Sequence, residues 1–350
     1  MNQRIKKLIA GLAQHTIDAY LVNRDVNISY LTQFPSSDSW LLVFPKKIFY
    51  ITDARYTLEV KKDLDPAGIQ VIEYKNSLIE TFLKLVQTMK ARVIGFDGFH
   101  LSVALFKQMR KASPEGVRLV ARNRLVEQLR EIKEKEEVDQ IRACLKLNLA
   151  AYAYLKRVIK PGLSEHNILD KLERYVKSHK ATFSFPPIIA SGPNAAFPHA
   201  RVSDRRLGKD EPLLVDMGID IRGYKSDLTR MFFFGRIPPL VRQINDSVAA
   251  AQQAAIKKIR PGIPVCEVDQ EARNYLRNSN LAQYFTHSLG HGVGLGIHES
   301  PRISFNNKTI LREGIVFTVE PGVYIPDQFG IRIEDMVLVT ANGCEVLSRN

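Results

Sequence analysis

Leu213-Leu214-Val215-Asp216-Met217-Gly218-Ile219-Asp220-Ile221-Arg222-Gly223-Tyr224-Lys225-Ser226-Asp227-Leu228-Thr229-Arg230-Met231-Phe232-Phe233-Phe234 consists of two apolar runs around a glycine-containing turn. That pattern predicts a β-hairpin. A symmetric hairpin centred between Ile221 and Arg222 sets Asp216 directly opposite Asp227, with their Cβ atoms roughly 5 Å apart. Like charges in that position destabilise a sheet, and both aspartates interrupt otherwise apolar strands. Something positive is needed to hold them.

A second hairpin repeats the arrangement. Ile315-Val316-Phe317-Thr318-Val319-Glu320 and Ile331-Arg332-Ile333-Glu334 read as strands, with a turn built around Pro326-Asp327-Gln328. Glu320 and Glu334 are equidistant from Asp327, so they too are expected to face each other. Two acidic pairs on two apolar hairpins call for cations, because buried unpaired carboxylates are costly.

Between the hairpins lies His287-Ser288-Leu289-Gly290-His291-Gly292-Val293-Gly294-Leu295-Gly296-Ile297-His298-Glu299. Its four alternating glycines argue against a helical metal-binding face and let main chain pass close to a ligand. The spacing is not that of a dinucleotide loop, and no P-loop Lys-Ser/Thr follows. Four carboxylates and an imidazole form a hard, oxygen-rich set. Such a set suits divalent manganese, cobalt, iron or zinc at a hydrolytic centre, whereas a structural zinc site would draw on cysteine. Four carboxylates exceed the needs of one catalytic ion. Two ions sharing bridging carboxylates fit better, and such a pair acidifies a water and polarises a carbonyl.

The rest of the chain fits an enzyme of this kind. Its 350 residues are enough for two domains, and 45% hydrophobic with 25% charged residues excludes disorder as the main state. The apolar runs are far shorter than the roughly 18 residues a membrane span needs. Residues 8–13, before Gln14-His15, are too short for a secretory core, so no export signal is expected. Cys144, Cys266 and Cys344 lie far apart with no Cys-x-x-Cys pair. That spacing argues against a disulfide framework or zinc ribbon and for a reduced, cytoplasmic protein. The formal net charge is +13, but the basic residues are dispersed among acids, as in Arg130-Glu131-Ile132-Lys133-Glu134-Lys135-Glu136-Glu137. No nucleic-acid partner and no membrane partner are expected.

Residues 1–125 alternate between strand and helix patterns and read as an α/β domain. Helices are expected over 5–16 and 78–89, and strands over 19–22, 40–44, 48–52 and 92–96. Residues 126–350 change character to helix, strands, helix, strands, an α+β order. Here Ile159-Lys160-Pro161-Gly162 recurs as Ile259-Arg260-Pro261-Gly262, each after an alanine-rich helical stretch and before another helix, and those helices carry Tyr175 and Tyr275. Two helix–Pro-Gly–helix–strand units suggest two similar halves about a pseudo-twofold axis, although Pro-Gly after a helix is also ordinary stop chemistry.

The constellation resembles the pita-bread metallopeptidases, and within them the Xaa-Pro dipeptidases (prolidases) and aminopeptidase P. The matching segments are Val215-Asp216-Met217-Gly218, Ser226-Asp227-Leu228-Thr229-Arg230, Gly290-His291-Gly292-Val293-Gly294-Leu295, Val319-Glu320-Pro321-Gly322 and Ile331-Arg332-Ile333-Glu334-Asp335. Tyr20-Leu21-Val22, Asn27-Ile28-Ser29-Tyr30-Leu31-Thr32-Gln33-Phe34 and Thr52-Asp53-Ala54-Arg55-Tyr56 look like the family's creatinase-type N-terminal domain, which methionine aminopeptidases lack. The resemblance implies a pita-bread catalytic domain, two divalent ions with manganese foremost, and a metal set of Asp216, Asp227, His291, Glu320 and Glu334. Asp227 and Glu334 would bridge the ions. Asp216 would serve one ion, and His291 with Glu320 the other. Val202, in place of a common proline, and Pro35-Ser36, in place of a usual Gly-Ser, depart from the pattern without touching a ligand.

The expected reaction is hydrolysis of the bond before proline in an Xaa-Pro dipeptide. The alternatives are an aminopeptidase P acting on longer peptides and a non-catalytic binding protein on the same fold. Glu320 is the candidate proton carrier. His199, in Ile189-Ala190-Ser191-Gly192-Pro193-Asn194-Ala195-Ala196-Phe197-Pro198-His199, and His298 resemble the family's substrate histidines, and with Glu320 they make the catalytic set. His287 joins the substrate-binding set. Arg332 shares a strand face with Glu334 and either steadies the carboxylates or binds substrate. The resemblance also implies a homodimer. In it the loop from Gln33 to Trp40, following a predicted strand, closes the neighbour's pocket.

Overall fold

The computed structural model describes residues 2–349. They form two compact units that divide between Arg130 and Glu131, and each is described by itself.

The first unit contains α1 (Gln3–Gln14), β1 (Ala19–Val22), α2 (Asp25–Thr32), β2 (Trp40–Val43), β3 (Ile48–Thr52), α3 (Thr57–Leu64), β4 (Gln70–Glu73), α4 (Leu78–Thr88), β5 (Val93–Phe96), α5 (Val103–Ala112), β6 (Arg118–Ala121) and α6 (Leu125–Glu131). The strands form one mixed sheet in the order β4-β3-β2-β1-β5-β6. β1, β2 and β3 are buried along their whole length, which is why they read as continuous apolar runs. Ser77 and Ser102 start α4 and α5 by accepting the N–H groups of Glu80 and Leu105.

Two expectations change here. The division falls five residues beyond the expected break at 125/126, because α6 is held by the first unit. Leu125 and Val126 are buried, the Tyr30 hydroxyl donates to the Leu129 carbonyl, and Arg130 donates to Asn27 Oδ1. The segment before the loop from Gln33 to Trp40 is helix α2, not a strand. Its β-branched and aromatic residues suggest extension, but Asn27, Tyr30 and Leu31 recur at helical spacing and are buried.

The second unit opens with α7 (Lys135–Val158) and α8 (Glu165–Ser178). Then come β7 (Thr182–Phe183), β8 (Ile188–Ser191), a 3₁₀ turn (Gly192–Ala196), β9 (Pro212–Met217), β10 (Ile219–Ile221), β11 (Tyr224–Lys225) and β12 (Leu228–Phe233). The second half has α9 (Pro239–Lys258), α10 (Val265–Asn278), β13 (Gly290–Gly292), β14 (Glu299–Ile303), β15 (Val316–Val319), β16 (Gly322–Ile325), β17 (Phe329–Arg332), β18 (Asp335–Val339) and β19 (Cys344–Val346).

The internal repeat is physical. Gly162 and Gly262 adopt φ of 91° and 87°, a conformation that favours glycine, and form matching turns after α7 and α9. The N–H of Gly162 donates to Leu207 and that of Gly262 to Leu311, and the return bonds Leu207 to Leu163 and Leu311 to Ile263 also match. Each helix pair covers its own apolar core. Ile141, Leu145, Leu155, Ile168 and Leu172 pack with Leu213, Val215 and Leu228, while Ile244, Val248, Val268 and Leu276 pack with Phe317, Val319 and Ile331. Each such side chain contributes about 1.5–3 kcal/mol through burial. The ends of β9, β12, β13, β15 and β17 bring the polar residues together between the two cores.

Candidate metal centre

The two hairpins position the carboxylates differently from one another. In the first, Arg222 and Gly223 form the turn, both with positive φ (56° and 88°), as a two-residue type I′ turn requires. The ladders therefore pair Ile221 with Tyr224 and Asp216 with Thr229. This corrects the expectation that Asp216 faces Asp227. Asp227 lies across from Gly218, diagonal to Asp216 on the same face. In the second hairpin β15–β18 pairs Val319 with Asp335 and β16–β17 pairs Gly322 with Arg332. Glu320 and Glu334 occupy the gap between these two ladders of one register, symmetric about Asp327.

His291 sits in β13, between β14 and β15. A Cβ on Gly290 would collide with the Thr318 carbonyl, and one on Gly292 with the Ser300 carbonyl, so the glycines permit this strand to be inserted. Ligand atoms of Asp227, His291 and Glu334 all lie within 4.8 Å of one another. His291 Nε2 is 3.5 Å from Asp227 Oδ2 and 3.4 Å from Glu320 Oε1. Thr318 donates its hydroxyl to Glu320 Oε1 and Thr229 to Glu334 Oε2.

These carboxylates have little compensation. Burial, then mutual repulsion, pushes Asp227 and Glu334 well above the usual carboxylate range. Burial pushes Glu320 up to about 8 and raises Asp216, whose Oδ1 is buried with no hydrogen-bond partner. Burial also lowers His291 to about 4, keeping its imidazole neutral and fit to ligate. An orphaned carboxylate oxygen, a clustered anionic set and a neutral imidazole together fit divalent cations.

The remaining residues line one cavity of about 1420 Å³ that also contains the five ligand candidates. His199 and His298 are solvent-exposed on its wall, and the ring of His298 stands 4.3 Å from that of His291. Arg332 Nε donates to Thr229, Nη1 to the Tyr324 hydroxyl and the Pro198 carbonyl, and Nη2 to Asp216 Oδ2 at 2.6 Å. His287 engages the Tyr324 hydroxyl through Nε2 and the Ser288 carbonyl through Nδ1. Both side chains line the cavity while their polar groups bond to the protein, so they steady the site.

Tyr324, Thr229, Thr318, Arg201 and Arg302 belong to the site and were not singled out from sequence. Thr229 and Thr318 carried a signal, each being a polar residue inside an apolar strand two positions from a candidate ligand. The arginines carried none.

The model of metallopeptidase family M24 matches residues 139–341, and that of the creatinase/prolidase N-terminal domain matches residues 4–132. The chain belongs to metallopeptidase family M24. A relative described as an Xaa-Pro dipeptidase, from Pyrococcus horikoshii, is 32% identical over 354 residues, covering 100% of this chain and 97% of its own. Among solved structures, an Xaa-Pro dipeptidase from Bacillus anthracis is similar with a TM-score of 0.94 at 30% identity, covering 99% of this chain and 97% of that one. An X-Pro aminopeptidase from Thermotoga maritima is similar with a TM-score of 0.89 at 31% identity, covering 99% and 98%. The expected organisation is thus that of an M24 enzyme, a creatinase-type α/β domain followed by a pita-bread domain. No helix among the described residues is long and apolar enough to cross a membrane.

Proposed function

We propose that this chain is a metal-dependent exopeptidase that hydrolyses the bond before proline in Xaa-Pro dipeptides. The carrying observation is the convergence of Asp227, His291 and Glu334 within 4.8 Å, beside Glu320 and the unpartnered Oδ1 of Asp216. Asp216, Asp227, His291, Glu320 and Glu334 would hold two divalent ions, with manganese foremost. Bound there, the ions would activate water and polarise the scissile carbonyl. Glu320 carries a proton on Oε1 or Oε2 from the attacking side to the departing proline nitrogen. His199 and His298 hold the peptide from the exposed wall. Arg201 and Arg302, also on that wall, offer positive charge to a dipeptide's terminal carboxylate.

The names of the relatives support proline specificity. A second reading, action on longer Xaa-Pro peptides, draws on the likeness to the aminopeptidase and is less well supported than the dipeptidase. We further propose a homodimer working in a reduced, cytoplasmic setting, in keeping with three free cysteines.

The test is hydrolysis of Xaa-Pro, Xaa-Pro-Xaa and Xaa-Ala peptides with manganese, cobalt or zinc added. Release of the N-terminal residue from Xaa-Pro, with little from the other two, supports the dipeptidase. Equal cleavage of Xaa-Ala would remove proline specificity. His199→Ala and His298→Ala are expected to lower kcat/KM while retaining both metals.

A further inference from the structure

The carboxylate of Glu165 is fully buried, lies outside the ligand set and has no part in the chemistry above. Glu165 is the first residue of α8, following its cap Ser164, and is 0% exposed. Its Oε1 accepts the Ser191 N–H at 2.7 Å and the Ser191 hydroxyl at 2.9 Å. Its Oε2 accepts Asn194 Nδ2 at 2.7 Å, the Ser203 N–H at 3.0 Å and the Ser203 hydroxyl at 2.7 Å. All five partners donate, so the carboxylate is used as a multiple acceptor.

The donors come from the two ends of one strap, residues 191–203. Between them run the 3₁₀ turn and five consecutive residues of the cavity wall, Pro198, His199, Ala200, Arg201 and Val202. Asn194 relays the hold to the middle of the strap by donating to the Arg201 carbonyl as well. The N-terminus of α8 adds two more bonds, from the N–H of Glu165 to Arg205 and of His166 to Ser203. On its other side the strap touches the metal centre through the Pro198 carbonyl, which accepts from Arg332.

We propose that Glu165 is a positioning residue for substrate binding, its carboxylate stapling both ends of the strap that presents His199 and Arg201 to the cavity. This rests on the reading of the cavity as a peptide site. A glutamine here keeps the shape but not the chemistry. Whichever way its amide is turned, the nitrogen meets a main-chain N–H, that of Ser191 or that of Ser203, and donor faces donor.

The experiment compares Glu165→Gln with the wild-type full chain, both loaded with metal. Amide hydrogen exchange is expected to accelerate by at least roughly tenfold across residues 191–203, as expected for lost charged hydrogen bonds. The strands Pro212–Met217 and Val316–Val319 are expected to stay unchanged, with two ions still bound. On an Xaa-Pro dipeptide, KM rises more than kcat falls. Unchanged exchange in the strap, or an equal rise throughout the unit, would overturn the staple. If Glu165→Gln does not fold, Ser203→Ala removes one hydroxyl donor and leaves the carboxylate intact. It is expected to loosen the same strap to a smaller degree, and no local change would also overturn the proposal. Should the wild-type chain leave Xaa-Pro peptides uncleaved, the functional reading fails. The exchange comparison still decides whether Glu165 holds the strap.

Discussion

Arg332 donates from Nη2 to Oδ2 of Asp216 at 2.6 Å, while Oδ1 of the same carboxylate is buried with no hydrogen-bond partner. One oxygen is thus held in place by a fixed guanidinium and the other is left for a cation. The arrangement orients a ligand through its outer contact, as second partners of metal ligands commonly do. Arg332 also carries Thr229 and Tyr324, and through them Glu334 and His287. The centre is therefore braced through one residue.

Removing that brace should be expensive. In Arg332→Ala, Asp216 keeps its burial and loses its partner, a change that typically costs about 3–5 kcal/mol. Urea unfolding of the metal-free variant is the measurement. A loss below about 1 kcal/mol, the range of an exposed ion pair, would show that Arg332 does not brace the centre. Arg332→Lys is expected to fall close to Arg332→Ala, because an ammonium cannot serve four acceptors in a plane.

Without metals the protein should lose stability as the solution becomes more alkaline. Glu320 is raised to about 8, and Asp227 and Glu334 are raised as well. Unfolded carboxylates titrate near pH 4, so above that the native state retains protons that the unfolded state has released. Stability from such groups is complete below about pH 4 and is lost as pH rises through the folded values. His287 and His291, lowered to about 4 by burial, act in the opposite sense below about pH 6.5. The clean window is therefore pH 6.5 to 8, where each retained proton costs about 1.4 kcal/mol per pH unit. Chelator-treated protein should show Tm falling across that window, and metal-loaded protein should not, because cations replace the protons. Parallel slopes for the two forms would refute this account.

Ligation and proton transfer should separate by mutation. Asp227→Ala and Glu334→Ala are expected to lose metal and activity together, since each removes an atom from the tightest group. Glu320→Gln keeps an oxygen for ligation and loses the ionisable group. Its kcat should drop by roughly 10²–10⁴, the usual contribution of a positioned acid or base, with metal content near wild type. Wild-type turnover in metal-replete Glu320→Gln would restrict Glu320 to ligation.

The legibility of this site in the sequence depended on turn chemistry. The spacing about Asp327 was sufficient for Glu320 and Glu334, because the second hairpin keeps a single register through both of its ladders. The first hairpin misled by one position at its turn. Gly223 is the second turn residue, and moving the centre there shifts every pair by two. A shift of two preserves which face each side chain occupies, so Asp216 and Asp227 still converge, as diagonal neighbours. Arg201, Arg302 and Glu165 were not legible. They act through tertiary proximity, and single charged residues on a loop, a short strand or a helix start carry no period. Likewise α2 is defined by what it packs against, not by the intrinsic preference of Ile28, Tyr30 and Leu31.

The dimer reading makes its own prediction in the first unit. Between α2 and β2 the loop is built, not loose. Gln33 and Asp38 adopt positive φ, the Ser36 N–H donates to Ser29 Oγ, and the Ser36 hydroxyl meets that of Tyr50 at 3.0 Å. Trp40 is not part of an exposed cap. It is buried, edge-on to Phe82 with ring centroids 5.7 Å apart, and serves the core. The exposed residues are Gln33, Pro35, Ser37 and Asp38, with Asp38 tied to Arg55 at 3.2 Å. A stiff, anchored tip loses little entropy on closing over a neighbouring cavity, and proline at position 35 reduces that loss further. Light scattering should therefore give twice the chain mass, and a monomer with full activity would defeat the dimer. Shortening residues 35–38 leaves Trp40 and Tyr50 in the core and should raise turnover of Xaa-Pro-Xaa relative to Xaa-Pro. If the loop limits substrate length, that ratio must move. A ratio equal to wild type, in a variant that remains dimeric, would show that the loop does not close the pocket.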